Sequence, residues 1–320
     1  MIEVLTERPT AYPTVRHLYL FAIVALLEVA DRLASPRALD ALARGAARVA
    51  HALSWKKRRF AEHSVTRVLG PLPRAERSRI VRGMFYTFWD EVFGLVPRRW
   101  RGMPESEVTG LPHLQAALAA GKGVVLWESA HFGRRNVAMQ VLRRLGFAVH
   151  QVHHALHRAG FAADSRSGWL RDRVVLPALA ARDRALVEDV IVLPLSSSLA
   201  FTRTLLGVLQ RNEILGVTAD VAYGERLVTL PLFGEPKRFT TGMVSLARSS
   251  GAALLPLFCT RDPDGRLHVT IEPAIPVGAT SDREADLEAP LRAYVKILER
   301  HLRRHPEQYR DWHYPWWAWT

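Results

Sequence analysis

Gly123-Val-Val-Leu-Trp127, followed directly by Glu128-Ser-Ala-His131-Phe-Gly133-Arg-Arg-Asn136, is the stretch on which the reading of this chain turns. Its first part is an apolar run that reads as a buried strand. A polar turn follows, and then a helix from about Asn136 to Leu145. A buried strand that passes through a turn into a helix is the repeating unit of an α/β sheet. Working outward, residues 147–152, 191–193, 214–218, 253–259 and 267–271 read as further strands. Residues 202–210 and 241–250 read as helices between them. No self-similar period of roughly 20–50 residues appears, so a solenoid is excluded.

Upstream the texture is helical. Leu39, Leu42, Ala46, Val49, Ala50 and Leu53 recur at helical spacing, with Arg44, Arg48 and His51 between them. Lys56-Lys57-Arg58-Arg59 comes next and reads either as a solvated face or as a phosphate-facing run. A second periodic stretch through Phe60, Val65 and Val68 ends at Gly70-Pro71-Leu72-Pro73. Residues 75–95 resume a helix with Met84, Phe85, Phe88, Trp89 and Phe93, which read as core aromatics and their neighbours. The domain reading is an N-terminal helical region over 1–105 and an α/β catalytic-type domain over 106–320.

Composition narrows the classes. Hydrophobic residues are 48% of the 320 and charged residues 23%, enough for a sizeable core and too apolar for disorder. One cysteine excludes a disulfide framework and a cysteine-rich zinc module, and suits a reducing compartment. Lys plus Arg is 44 against 31 Asp plus Glu, a formal charge of +13. Such a surface attracts nucleic acid, anionic headgroups or an acidic protein. No helix-turn-helix, RRM or zinc module is visible, so nucleic acid is not expected. Residues 18–27 form the longest apolar run, short of the about 20 residues a spanning helix needs. Acidic Glu3 and Glu7 before it argue against a secretory signal. Residues 18–30 therefore read as a buried helix or as an interfacial anchor, with Arg16, His17, Tyr19 and Phe21 at headgroup depth.

His131 sits where a predicted strand ends, and open α/β sheets place ligands outside the carboxyl ends of their strands. A histidine there suits a general base; the plainer role is a helix cap or a carbonyl partner. Gly133 would let backbone approach a substrate closely, and Arg134 and Arg135 would add donors for phosphate.

These residues belong to a longer ordered series. Gly121-Lys-Gly123-Val-Val-Leu and His131-Phe-Gly133 are followed by Gly216-Val-Thr-Ala-Asp220 and Leu230-Pro-Leu-Phe233-Gly234-Glu-Pro236. Thr241-Gly242, Leu246-Ala247, Gly251-Ala-Ala-Leu-Leu-Pro256 and His305-Pro306-Glu307-Gln308-Tyr309 complete it. In order and spacing the chain resembles the lipid A biosynthesis acyltransferases, of the lauroyl/myristoyl lysophospholipid acyltransferase type. The resemblance implies a glycerolphosphate-acyltransferase-like mixed α/β sheet flanked by helices, with an N-terminal membrane-associating helical region. It places the protein on the cytoplasmic face of the inner membrane. The implied reaction moves a fatty acyl group from an acyl-carrier-protein or acyl-CoA thioester to a hydroxyl of a lipid or glycolipid acceptor. No cofactor is implied, and the basic surface would dock the acidic carrier and anionic lipid.

The family's motif is His, four residues, then Asp or Glu. His131 matches the base, but the acid position is Asn136. An asparagine can hold a tautomer but brings no negative charge to the imidazolium. Three readings stay open: Glu128 or Asp220 substitutes, the acceptor is a small amine or other better nucleophile in a biosynthetic pathway, or the protein is a non-catalytic lipid-binding relative. Asp220 matches an acidic residue that the family keeps near its site; a turn-capping role is the alternative. Phe233, Gly234, Lys237, Arg238 and the helix start at Thr241 would suit a thioester arm and its phosphopantetheine phosphate, or be an exposed loop with a capping threonine.

His150, His153, His154 and His157 fall at i, i+3, i+4 and i+7, a metal-binding face if helical. His150 lies in a predicted strand, so no metal is expected. His153 and His154 instead read as lining the acceptor side, where the family tends to place an arginine that is missing here. Cys259, inside the apolar strand 254–259, reads as a small hydrophobe. The aromatic tail of Tyr309, Trp312, Tyr314, Trp316, Trp317 and Trp319 reads equally as sheet packing or interfacial insertion.

Overall fold

The computed structural model describes Val29 and residues 35–94, 105–154, 189–193, 199–222 and 226–313. For Arg135, Asn136, His153 and His154 only the backbone is described. The expected membrane anchor at 18–30, His157 and the tail from Tyr314 onward lie outside these residues, apart from Val29.

Nine strands are described: β1 (Ser106–Thr109), β2 (Val124–Glu128), β3 (Val149–His154), β4 (Asp189–Leu193), β5 (Ile214–Thr218), β6 (Leu227–Leu232), β7 (Glu235–Thr240), β8 (Ala253–Arg261) and β9 (Leu267–Ile271). Seven form one sheet in the order β1-β9-β8-β2-β5-β3-β4, and β6 and β7 form a separate hairpin. Every neighbouring pair in the large sheet is parallel except β8 with β9. The sheet is thus mixed, as expected, and mostly parallel.

Eight helices are described. α1 (Pro36–Leu53), α2 (Trp55–Leu69) and α3 (Arg74–Gly94) precede the sheet. α4 (Leu111–Ala119), α5 (Arg135–Arg144), α6 (Leu199–Gln210), α7 (Gly242–Ser250) and α8 (Arg283–Arg304) follow within it. Local chemistry starts several of them. The Ser35 hydroxyl accepts from the Ala38 N–H with Pro36 at the first position, so α1 begins at Pro36. Asp282 accepts from the Ala285 N–H, and α8 carries acids in its first turn and bases in its last.

Strand alternation sorts the core into two layers. Val124, Leu126, Ile214, Leu255, Leu257 and Cys259 pack with Leu114 of α4 and Val137, Met139 and Leu142 of α5. Val125, Trp127, Leu215, Val217, Leu254 and Phe258 face the other way. There they join Ala61 and Val65 of α2, Val81 and Phe85 of α3, and Leu291, Tyr294 and Leu298 of α8 in one continuous core. The helices before residue 105 therefore share the sheet's own core.

A buried ion network ties α1 and α3 to the sheet. Asp90 of α3 lies 3.0 Å from Arg134 Nε and 2.7 Å from an Arg261 terminal nitrogen. That same nitrogen is 2.9 Å from Asp40 of α1, whose carboxylate accepts from the Tyr86 hydroxyl. Removing one partner of such a buried pair leaves an uncompensated charge. Asp90→Ala is expected to lower unfolding free energy by about 3–5 kcal/mol in urea titrations. The double change Asp90→Leu with Arg134→Met is expected to recover most of that loss.

Candidate functional site

The site lies beyond the carboxyl ends of three adjacent central strands, β5, β2 and β8. The chain leaves β2 at Glu128 and enters α5 at Arg135, and the six residues between are held from three sides. Asp220, just past β5 and buried, accepts from the Ser129 hydroxyl at 2.5 Å and the Ala130 N–H at 2.6 Å. Cys259 near the end of β8 accepts from the Arg134 N–H at 2.9 Å. Gly133 has φ of +61°, and a Cβ there would fall 1.8 Å from the Cys259 carbonyl oxygen. Glycine is required for this backbone-to-backbone approach rather than for the substrate approach read from sequence.

The third side is supplied from the far end of the chain. Pro306–Gln308 and Arg310–His313 are short 3₁₀ turns. Phe132 and Tyr309 form an antiparallel bridge between the two segments. The Gly133 N–H donates to Gln308 O, and the Arg310 N–H donates to His131 O at 2.8 Å. The Arg310 side chain also donates to the carbonyls of Ala130 and His131. Trp312 is fully buried, and its indole N–H donates to Pro306 O at 2.6 Å.

This fold-back carries Asp311 to the catalytic candidate. His131 Nδ1 lies 2.9 Å from Asp311 Oδ2. An ionised carboxylate at that distance places the ring proton on Nδ1 and turns the Nε2 lone pair outward. The His131 side chain is 26% exposed, and among the described residues nothing bonds Nε2. Burial works against the charge on Asp311. The attraction of His131 and its hydrogen bond, then Lys237 and Arg310, outweigh burial and hold the carboxyl below its ordinary value of 3.8. The His313 imidazole is also held below its ordinary value, by burial first, with Lys57 among the causes lowering it.

The two carboxylates expected to stand in for the missing acid do other work. Asp220 braces the turn, as described. Glu128 is buried and accepts from the Gln151 amide at 2.5 Å. The acid on the imidazole is Asp311, which the sequence reading missed. Asn136 occupies the second position of α5, with only its backbone described. The Tyr294 and Tyr309 hydroxyls are raised well above their ordinary value by burial, with Asp220 adding to both. They stay neutral behind the site.

Other expected site residues are placed as follows. Arg134 is 4% exposed and spent on Asp90, so it cannot face a phosphate. Arg135 opens α5, its side chain outside the description. Val149–His154 is a strand, so His150, His153 and His154 cannot make the helical histidine face. His150 Nε2 is 2.9 Å from Glu213. Cys259 is buried, which pushes its thiol up to about 12.

Residues 227–240 form a hairpin rather than a loop. Phe233 and Gly234 are its two-residue tip, with φ of 53° and 79°. The left-handed phenylalanine is held by α8: its N–H donates to Glu299, and the Arg303 guanidinium lies 4.7 Å over its ring. Lys237 is buried with Nζ 5.8 Å from the Phe239 centroid, whereas Arg238 is exposed on the opposite face of β7. Strand alternation keeps the two from meeting one phosphate. Thr241 is buried; its hydroxyl donates to Arg226 O and does not cap α7.

The description "bacterial lipid A biosynthesis acyltransferase" is that of the family whose profile matches residues 7–317. The chain belongs to this family. Two phosphatidylinositol mannoside acyltransferases of Mycobacterium tuberculosis are similar to it. That of strain CDC 1551 / Oshkosh is 29% identical over 230 residues, 66% of this chain and 66% of the relative. That of strain ATCC 25618 / H37Rv is 29% identical over 226 residues, with the same shares. The chain thus spans just under two thirds of the length of either relative. The lipid A acyltransferase match runs through α1–α3 as well as the sheet.

Asp311→Asn keeps the shape and removes the charge. Acyl transfer is expected to fall by about 10²- to 10⁴-fold in kcat, with KM little changed. Because the folded carboxyl titrates below its unfolded value, its stabilisation is complete above the ordinary value of 3.8 and is lost as pH falls through the folded one. Urea midpoints of wild type and Asp311→Asn should therefore differ at neutral pH and converge in acid.

Proposed function

We propose that this protein transfers a fatty acyl group from an acyl-carrier-protein or coenzyme A thioester to a hydroxyl of a lipid or glycolipid, with His131 as general base. Family membership supports acyl transfer to a lipid, and the relatives' names support a glycosylated phospholipid as acceptor. The observation that carries the chemistry is the 2.9 Å contact of His131 Nδ1 with Asp311, which leaves Nε2 as the acceptor of a proton.

A hydroxyl is a poor nucleophile until its proton can leave. Nε2 takes that proton as the oxygen attacks the thioester carbonyl. Asp311 then lies against the imidazolium and stabilises its charge. When the carbon–sulfur bond breaks, the proton passes to the departing thiolate, giving an ester and a free thiol. With an acid on the ring, Asn136 no longer argues for an amine acceptor or for a catalytically silent relative.

In this reading the 106–320 unit carries the chemistry. The helical region over 1–105, at the cytoplasmic face of the inner membrane, holds it against its lipid acceptor. No described helix is long and apolar enough to cross a membrane. Basic charge would draw both an acidic carrier and anionic lipid to the protein.

Purified wild type and His131→Ala should each be incubated with acyl-carrier-protein or acyl-CoA and a polar lipid extract, and products read by mass spectrometry. A new acylated lipid is expected with wild type, reduced at least about 10²-fold in His131→Ala. Donor consumption without an acylated lipid, or equal product from both proteins, would defeat the proposal.

A further inference from the structure

Between α1 and α3 lies an open cleft of about 390 Å³, lined by Arg44, Arg48, His51, Arg82 and Tyr86. Arg44 is partly spent: its Nε is 2.8 Å from Asp40, and its guanidinium lies 5.0 Å from the Tyr86 centroid. Asp40 is itself shared with Arg261. Arg48 and Arg82 are exposed, and among the described residues neither has a hydrogen-bond or ion-pair partner. His51 packs edge-on against Phe85 with ring centroids 5.4 Å apart. Burial and then Arg58 and Arg82 hold its imidazole below the ordinary value, so the ring stays neutral and adds no positive charge of its own. Three guanidinium groups around one cavity suit the oxygens of a phosphate, which guanidinium planes bind in pairs.

The surface next to the cleft is apolar. The exposed uncharged positions of α1 are Ala38, Ala41, Leu42, Gly45, Val49, Ala52 and Leu53. Their spacing places them on one stripe of the helix. Leu53 is 76% and Val49 59% exposed. α2, which follows α1 directly, also exposes Trp55 and Phe60, each by about half, and Lys56 Nζ lies 5.6 Å from the Trp55 ring. Soluble helices bury their apolar stripe; α1 buries one, through Leu39, Ala43 and Ala47, and exposes a second. An exposed apolar stripe edged by arginines is the pattern of a helix lying in a lipid interface.

We propose that the cleft binds the phosphate of an anionic phospholipid, while the outer stripe of α1, with Trp55 and Phe60, enters the acyl boundary. The proposal rests on the membrane placement given above and assigns it a specific site, separate from His131. Charge complementarity selects an anionic headgroup, and the adjoining apolar stripe selects a lipid over free phosphate.

The test is cosedimentation of the full chain with vesicles of phosphatidylcholine alone or mixed with phosphatidylglycerol. Wild type is expected to prefer the anionic vesicles. Arg48→Ala/Arg82→Ala should weaken that binding by roughly 10- to 30-fold. The charge-matched pair Arg283→Ala/Lys296→Ala, exposed on α8, should weaken it by less than about threefold. Equal losses in both pairs would mean general attraction and overturn the proposal. So would inorganic phosphate that displaces the protein at the concentration of lipid phosphate, which would make this a soluble-anion site. Wild type that ignores both vesicles would overturn the membrane placement and the cleft together. Acyl transfer on detergent-dispersed lipid by the cleft variant reports that it is folded, and is expected to match wild type.

Discussion

Residues 306–313 fold back across the turn that follows β2, and the pairing of His131 with Asp311 depends on that contact. The Gly133–Gln308 and Arg310–His131 backbone hydrogen bonds and the Phe132–Tyr309 bridge set it in place. Buried Trp312 holds it from below. A carboxylate on an exposed tail would pay the entropy of ordering each time it met the imidazole. Here that ordering is done by folding, so Asp311 stands preorganised at 2.9 Å.

Each neighbour of the turn answers one demand of the contact. Asp220 satisfies the Ser129 hydroxyl and Ala130 N–H that leaving β2 would otherwise orphan. Gly133 allows the chain to touch β8. Arg134 anchors the start of α5 to Asp90, and Arg261 extends the same network to α1 and α3. The helical layer that offers the cationic cleft is therefore wired to the strand ends around His131. The proposed lipid cleft and the proposed base are thus joined through one ion network, although they use different residues.

Much of this was legible from local pattern. The apolar runs of β2, β5, β8 and β9 and the helical spacing of α3 and α7 marked those elements within two residues, whereas α6 starts three residues before its expected start and α2 five residues before Phe60. His131 stood out because open α/β sheets place ligands outside the carboxyl ends of their strands. Less was visible where sequence signals compete. β3 runs on through His153 and His154, and the 227–240 hairpin hid behind two prolines and a phenylalanine in a left-handed turn. The long α8 has a readable spacing in Leu287, Leu291, Tyr294, Leu298 and Leu302, around Pro290.

Asp311 had one faint signal: it is the only carboxylate after Glu307 in the chain. It lies 180 positions from His131, and no period or motif spans that distance. Periodicity and turn chemistry are local, so the sequence by itself determined most element types, a mixed α/β sheet and a histidine at the end of its central strand. Which carboxylate meets that base, and which arginines are buried rather than presented to a phosphate, depends on contacts between segments far apart in the chain. Those were decided only when the sheet, α3 and the C-terminal turns packed around a shared core.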